Sequence, residues 1–156
     1  MNKVIKPILL LLCGVLLPLS ALAKNEATVS SPSGNLTVTA GIDKAGRPYY
    51  SFNRGKEAIL LPSQLGLKLK DGDLDKDFKV VTFTRATKDE TWQQPLGEEK
   101  EVRNHYNELT MQLQQRSGLQ RKLTIVFRVF DNGMGFRYVF PQQKNLTDFV
   151  IMDEET

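Results

Sequence analysis

The chain has 156 residues, a formal charge of +3, one cysteine and one histidine. Its first 23 residues carry Cys13, Lys3 and Lys6 and no acidic residue, so the remaining 133 residues have a formal charge of +1 and no thiol. That excludes disulfides and thiolate metal sites, leaves any Ser-His-Asp triad dependent on His105 alone, rules out multi-histidine metal centres, and gives no reason to expect nucleic acid as a partner.

Lys3 and Lys6 precede an apolar run from Ile8 to Leu19, and the segment closes on Ala21-Leu22-Ala23 before Lys24. A positive start, an apolar stretch and a small-x-small end are the layout of a secretory signal peptide. The run is shorter than the roughly 20 residues that cross a bilayer. Residues 1–23 therefore read as a signal peptide, residues 24–156 as one exported domain, and the destination as the periplasm, with no membrane attachment after cleavage. A lipoprotein site at Cys13 is the weaker alternative, because Leu12 stands where a small residue is needed.

From residue 36 the pattern is strands and turns. Leu36 to Ile42 alternates at period two, Asp43-Lys44-Ala45-Gly46 reads as a turn, and Arg47 to Asn53 carries Tyr49, Tyr50 and Phe52. Ala58 to Leu61 is an apolar run stopped by Pro62. Gln64 to Lys70 places Leu65, Leu67 and Leu69 on one face, and Phe78 to Thr84 continues the strand pattern. Residues 86–100, polar and acidic around Trp92 and Gly97, read as a long loop. Strand character resumes from Val102 to Gln115, with a phase shift between Tyr106 and Leu109 that a bulge would absorb. Leu123 to Phe130 and Gly135 to Phe140 flank Asp131-Asn132-Gly133, and the Asn-Gly pair predicts a hairpin turn with positive φ at both central residues. No stretch has convincing helical periodicity. Many short strands with regular turn signals predict an all-β sandwich or barrel. Phe149 to Met152 opens a further apolar strand just before the last residues, which reads as a domain incomplete at its C-terminal end.

Candidate chemistry is sparse. Glu98, Glu99 and Glu101 cluster near Trp92, with Glu108 further on. Carboxylates beside an aromatic suit a sugar ring, but a solvated acidic loop anchored by the tryptophan explains each of them better. Asp71, Asp73, Asp75 and Asp77 repeat at the spacing of calcium-loop ligands. However, Lys76 stands where such a loop needs glycine and Thr82 where it needs glutamate, so a hairpin tip between the 64–70 and 78–84 strands fits better. His105 reads as a half-exposed strand histidine bonded locally. Tyr49, Tyr50 and Trp92 are the stacking residues available to a non-catalytic carbohydrate-binding or structural module.

The stretch Val126 to Tyr138, with Phe127-Arg128-Val129-Phe130-Asp131-Asn132-Gly133-Met134-Gly135-Phe136-Arg137-Tyr138, resembles the signature hairpin of the amino-terminal domain of glycoside hydrolase family 97. Trp92-Gln93-Gln94-Pro95-Leu96-Gly97-Glu98, then Asn104 to Glu108, and the opening Ser31 to Leu36 fit the same family in order. The resemblance implies an all-β super-sandwich of mostly antiparallel strands, similar to galactose mutarotase. It also implies a periplasmic exo-acting α-glucosidase or α-galactosidase as the parent enzyme. The catalytic acid and base would lie on a (β/α)8 barrel of the same chain acting on α-linked oligosaccharides, so residues 24–156 alone are expected to be inactive. One residue carries over: a glutamate of this domain that helps to ligate a calcium ion, in a pattern that points to Glu154, with Glu155 as the alternative.

Overall fold

The computed structural model describes residues 25–96 and 100–155. The predicted signal peptide, Gly97, Glu98 and Glu99 lie outside the described residues.

Among the described residues ten strands follow one another: β1 (Glu26–Ser30), β2 (Leu36–Ile42), β3 (Pro48–Arg54), β4 (Glu57–Gln64), β5 (Gly66–Leu69), β6 (Phe78–Gln93), β7 (Glu101–Gln115), β8 (Lys122–Phe130), β9 (Gly133–Val139) and β10 (Ile151–Glu155). They form a sheet of order β1-β2-β3-β4, a second of order β6-β7-β8-β9 and a ribbon of β5 with β10, all antiparallel. The all-β expectation holds.

Period-two alternation decides which face is dry. In β2, Leu36, Val38, Ala40 and Ile42 are buried. In β7 and β8, Leu109, Met111, Leu113, Leu123, Ile125, Phe127 and Val129 are buried, and the two sets share one core with Leu65, Leu67, Leu69, Leu74 and Phe78. Tyr50 of the first sheet lies against Phe127 and Phe136 of the second, with ring centroids 5.9 and 5.4 Å apart, in tilted geometry. Side chains also cross between the sheets at the rim: Arg85 donates to the Thr28 carbonyl and Asn107 to that of Ser30.

Four local expectations are corrected. Residues 86–93 are strand, not loop: from Thr82 to Gln93, β6 keeps an unbroken register with β7, Trp92 facing Val102. The outer half of β6 is exposed throughout, so no apolar alternation marked it. Pro62 lies within β4, an edge strand with no ladder on its far side, where a missing N–H is tolerated. The irregularity in the β6–β7 pair falls between Val80 and Thr82, not between Tyr106 and Leu109. Tyr106 instead points to the outer face, against the Phe130 ring and beneath Arg128, whose guanidinium carbon is 4.5 Å from the ring centroid. Last, Asp131 and Asn132 connect β8 to β9 without positive φ at either residue or at Gly133. The Asp131 carboxylate accepts the Ser33 N–H at 2.8 Å, so a distant segment sets this turn.

Candidate functional site

Strand β10 carries the predicted metal ligand. Its pairing with β5 sets Glu154 opposite Leu67 and Glu155 opposite Gly66. Successive side chains of a strand take opposite faces, so the two glutamates part ways. Glu155 turns to Lys68, whose Nζ lies 3.1 Å from its Oε1. The same ammonium donates to Asp75 and stands 3.8 Å from Asp73. Asp75 and Glu155 hold the Lys68 amine protonated well beyond its ordinary range, with Asp75 the larger influence. Asp75 is 5% exposed, and its Oδ1 has no hydrogen-bond partner among the described residues. Gly66 makes this approach possible: a Cβ there would meet the Asp75 Cα at 2.7 Å and its Cβ at 2.8 Å.

Glu154 is exposed, and among the described residues no cation pairs with it. Its charge is felt at Tyr138, the phenol that accepts the Gly66 N–H at 3.1 Å. Burial pushes the Tyr138 hydroxyl up to about 12, and the negative charges of Glu154 and Glu155 add to the shift. Beside Glu154, Val150, Ile151 and Met152 are all more than half exposed or nearly so, at 55%, 50% and 65%. A run of exposed aliphatic side chains next to an unpaired carboxylate suits a strand that meets another surface.

The remaining candidates are dispersed. The four aspartates of the 71–77 segment turn to three different places. Asp71 pairs with Arg121 at 2.6 Å, Asp73 and Asp75 face Lys68, and Asp77 accepts the Ser117 N–H at 3.0 Å. The segment is no hairpin tip either, because β5 and β6 belong to different sheets. Among the described residues no group of three or more acidic, histidine or cysteine side chains gathers as a metal cage. Glu108 is paired with Arg128 at 2.8 Å, and Glu101 is exposed at the start of β7. His105 is half-buried, 4.0 Å from Asp89, a carboxylate already held below its usual range by Arg103. Tyr49 and Tyr50 point to opposite faces of β3, with Tyr50 in the core, while Trp92 sits on the arm of the other sheet. The three aromatics therefore share no platform.

Sequence reasoning missed two charged hubs. Arg121, 2% exposed, donates to the carbonyls of Asn145 at 3.0 Å and Gly72 at 2.9 Å as well as to Asp71. Lys68 gathers residues 73, 75 and 155. Both join distant segments, and no local pattern announces either.

This architecture, an antiparallel β-sandwich with a short ribbon closing one side, defines a β-sandwich domain that presents a strand-borne carboxylate. The Glycosyl-hydrolase 97 N-terminal family matches residues 29–156, and the chain belongs to that family as its amino-terminal domain. A retaining alpha-galactosidase of Bacteroides thetaiotaomicron is 33% identical over 83% of this chain, and a probable retaining alpha-galactosidase of Streptomyces bingchenggensis is 25% identical over 74%. A family 97 enzyme from Pseudoalteromonas sp. strain K8, solved with panose, superposes with a TM-score of 0.78 at 31% identity over 83% of this chain. A solved beta-arabinopyranosidase gives 0.75 at 29% identity. The chain spans 18% of the length of each of those two curated relatives and 20% of these two solved chains.

Proposed function

We propose that this domain serves an exported, exo-acting α-glycosidase, packing on the catalytic barrel of the same protein and contributing Glu154 to a calcium ion there. The observation that carries the reading is the division of labour on β10. Lys68 occupies Glu155, while Glu154 keeps both oxygens available beside an exposed apolar strip. Carboxylate oxygen is a suitable donor for calcium, which takes six to eight oxygens and so needs further ligands beyond this chain. A calcium ion held there would supply positive charge able to polarise a substrate oxygen. The residues described here hold the strand: Lys68 and Tyr138 fix β5 and β10, and the exposed Val150, Ile151 and Met152 offer apolar area to the barrel.

The retaining alpha-galactosidases among the relatives favour an α-galactoside as substrate and a retaining course. A second reading, an α-glucoside, is favoured by the 31%-identical family 97 enzyme solved with panose and, separately, with acarbose. Export rests on the signal-peptide pattern of residues 1–23.

The test uses the full-length protein recovered from the periplasm, with an amino terminus expected at Lys24. Calcium affinity is measured by titration calorimetry and hydrolysis on aryl α-galactoside and aryl α-glucoside. Glu154→Gln is expected to weaken calcium binding about ten- to a hundredfold, the order seen when one contributor to a metal site is lost, and Glu155→Gln far less. Equal effects of the two variants, or none from Glu154→Gln, would sink the ligand assignment. Hydrolysis of neither glycoside would sink the activity.

A further inference from the structure

The outer face of the first sheet is built unlike the outer face of the second. Opposite the buried Ala27, Val29, Leu36, Val38 and Ala40, strands β1 to β3 present Glu26, Thr28, Ser30, Thr37, Thr39, Tyr49, Ser51 and Asn53. Short hydroxyl and amide side chains dominate, with one aromatic among them. At one end the 43–47 turn joins β2 to β3. There the Asp43 carboxylate accepts the N–H groups of Ala45 at 2.8 Å and Arg47 at 2.9 Å and the Arg47 Nε–H at 2.7 Å. This turn and the start of β1 border an open groove of about 570 Å³, with Thr39, Tyr49, Ser51 and Gln64 along its lining. That volume falls within the roughly 300–1,000 Å³ of small-ligand clefts.

We propose that this groove is a second carbohydrate site, binding a neutral oligosaccharide with Tyr49 as its stacking surface. It rests on the glycosidase reading only for the choice of sugar. Three features select the ligand class. The four ionisable side chains at the rim, Glu26, Asp43, Lys44 and Arg47, cancel in formal charge, so an anion meets two carboxylates and a cation meets two bases. The donors are uncommitted: among the described residues the terminal nitrogens of Arg47 and the side chains of Thr39, Ser51 and Gln64 make no hydrogen bond within the protein. An apolar ligand would cover these groups without satisfying them, whereas a polyol satisfies them. Finally, Tyr49 donates its hydroxyl to the Glu26 carboxylate, which fixes the ring from its rim and leaves a half-buried aromatic face to the groove. The apolar C–H face of a pyranose packs on such a ring. Partial burial and the Glu26 charge push the phenol up to about 12, so it stays neutral at any working pH.

The experiment is affinity electrophoresis of the full-length protein through native gels holding soluble amylopectin or guar galactomannan, with aryl α-glycoside hydrolysis measured in parallel. Wild type is expected to be retarded by one of the two polymers. Tyr49→Ala is expected to weaken retardation about tenfold with aryl-glycoside turnover and melting temperature unchanged, while Tyr49→Phe, which keeps the ring, retains most of the retardation. If Tyr49→Ala unfolds the domain, Gln64→Ala gives the same readout from an exposed position, with a smaller expected loss. Wild type running freely in both gels, or variants retarded as wild type, overturns the groove. Loss of aryl-glycoside turnover in wild type would count against the glycosidase and not against the groove, since the two readouts are separate.

Discussion

The two four-stranded sheets and the β5–β10 ribbon are held by opposite means. Between the sheets the contacts are apolar and interlocked: Phe127 is fully buried, flanked by Tyr50 and Phe136, and no charge lies among them. The ribbon instead depends on a short ladder with an irregular register between Ile151 and Asp153, one ammonium shared by three carboxylates, and one phenol-to-amide bond. It leaves aliphatic side chains in water. Burial gives stability without direction, whereas an ion cluster gives direction with little stability. The ligand role proposed for Glu154 calls for the second kind of restraint.

The contrast can be broken by substitution. Phe127→Ala should produce the largest effect, about 3–5 kcal/mol by chemical denaturation, because it empties a packed site that three rings share. A loss under about 1 kcal/mol would mean that the sheets are not joined through these rings. Lys68→Met should act locally. It strips the buried Asp75 of the one cation that pairs with it among the described residues and frees Glu155, so native-state hydrogen exchange should rise at the β5 and β10 amides while β7 and β8 keep their protection. Protection falling equally in all four strands would show that the ribbon is not a separate unit.

The smallest effect is visible only in alkali. Tyr138 has its folded pKa raised to about 12 from 10.0, so the stability it contributes is complete below pH 10 and is lost as pH rises through 12. Tyr138→Phe should flatten the alkaline limb of the stability curve between those values at the expense of the bond to Gly66. An unchanged limb would assign the alkaline loss elsewhere, Tyr49 being the next phenol to test.

Legibility followed the same divide. The core strands were readable because one face of each is dry, so Leu36 to Ile42 and Leu123 to Phe130 alternate or run apolar in plain view. The outer half of β6 was not, since Thr87 to Gln93 touch water on both sides and owe their strand state to hydrogen bonds from β7. Nor was the turn at Asp131, where Ser33 outweighs the local Asn-Gly preference. Glu154 entered through family resemblance. Its surroundings did not, because Lys68, Asp75 and Glu155 meet only after the chain has folded back on itself.

That late meeting has a kinetic side. The first sheet is made of consecutive hairpins, each closable as soon as its second strand exists, whereas β5 must wait for β10 across the four intervening strands of the second sheet. Long loop closures are entropically slow. During vectorial delivery from amino to carboxyl end, the sandwich can therefore consolidate first, with β5 carrying an open edge until residues 151–155 arrive. The carboxylate proposed for the metal is then set in place only after the sandwich that supports it, and its arrival covers one edge of β5.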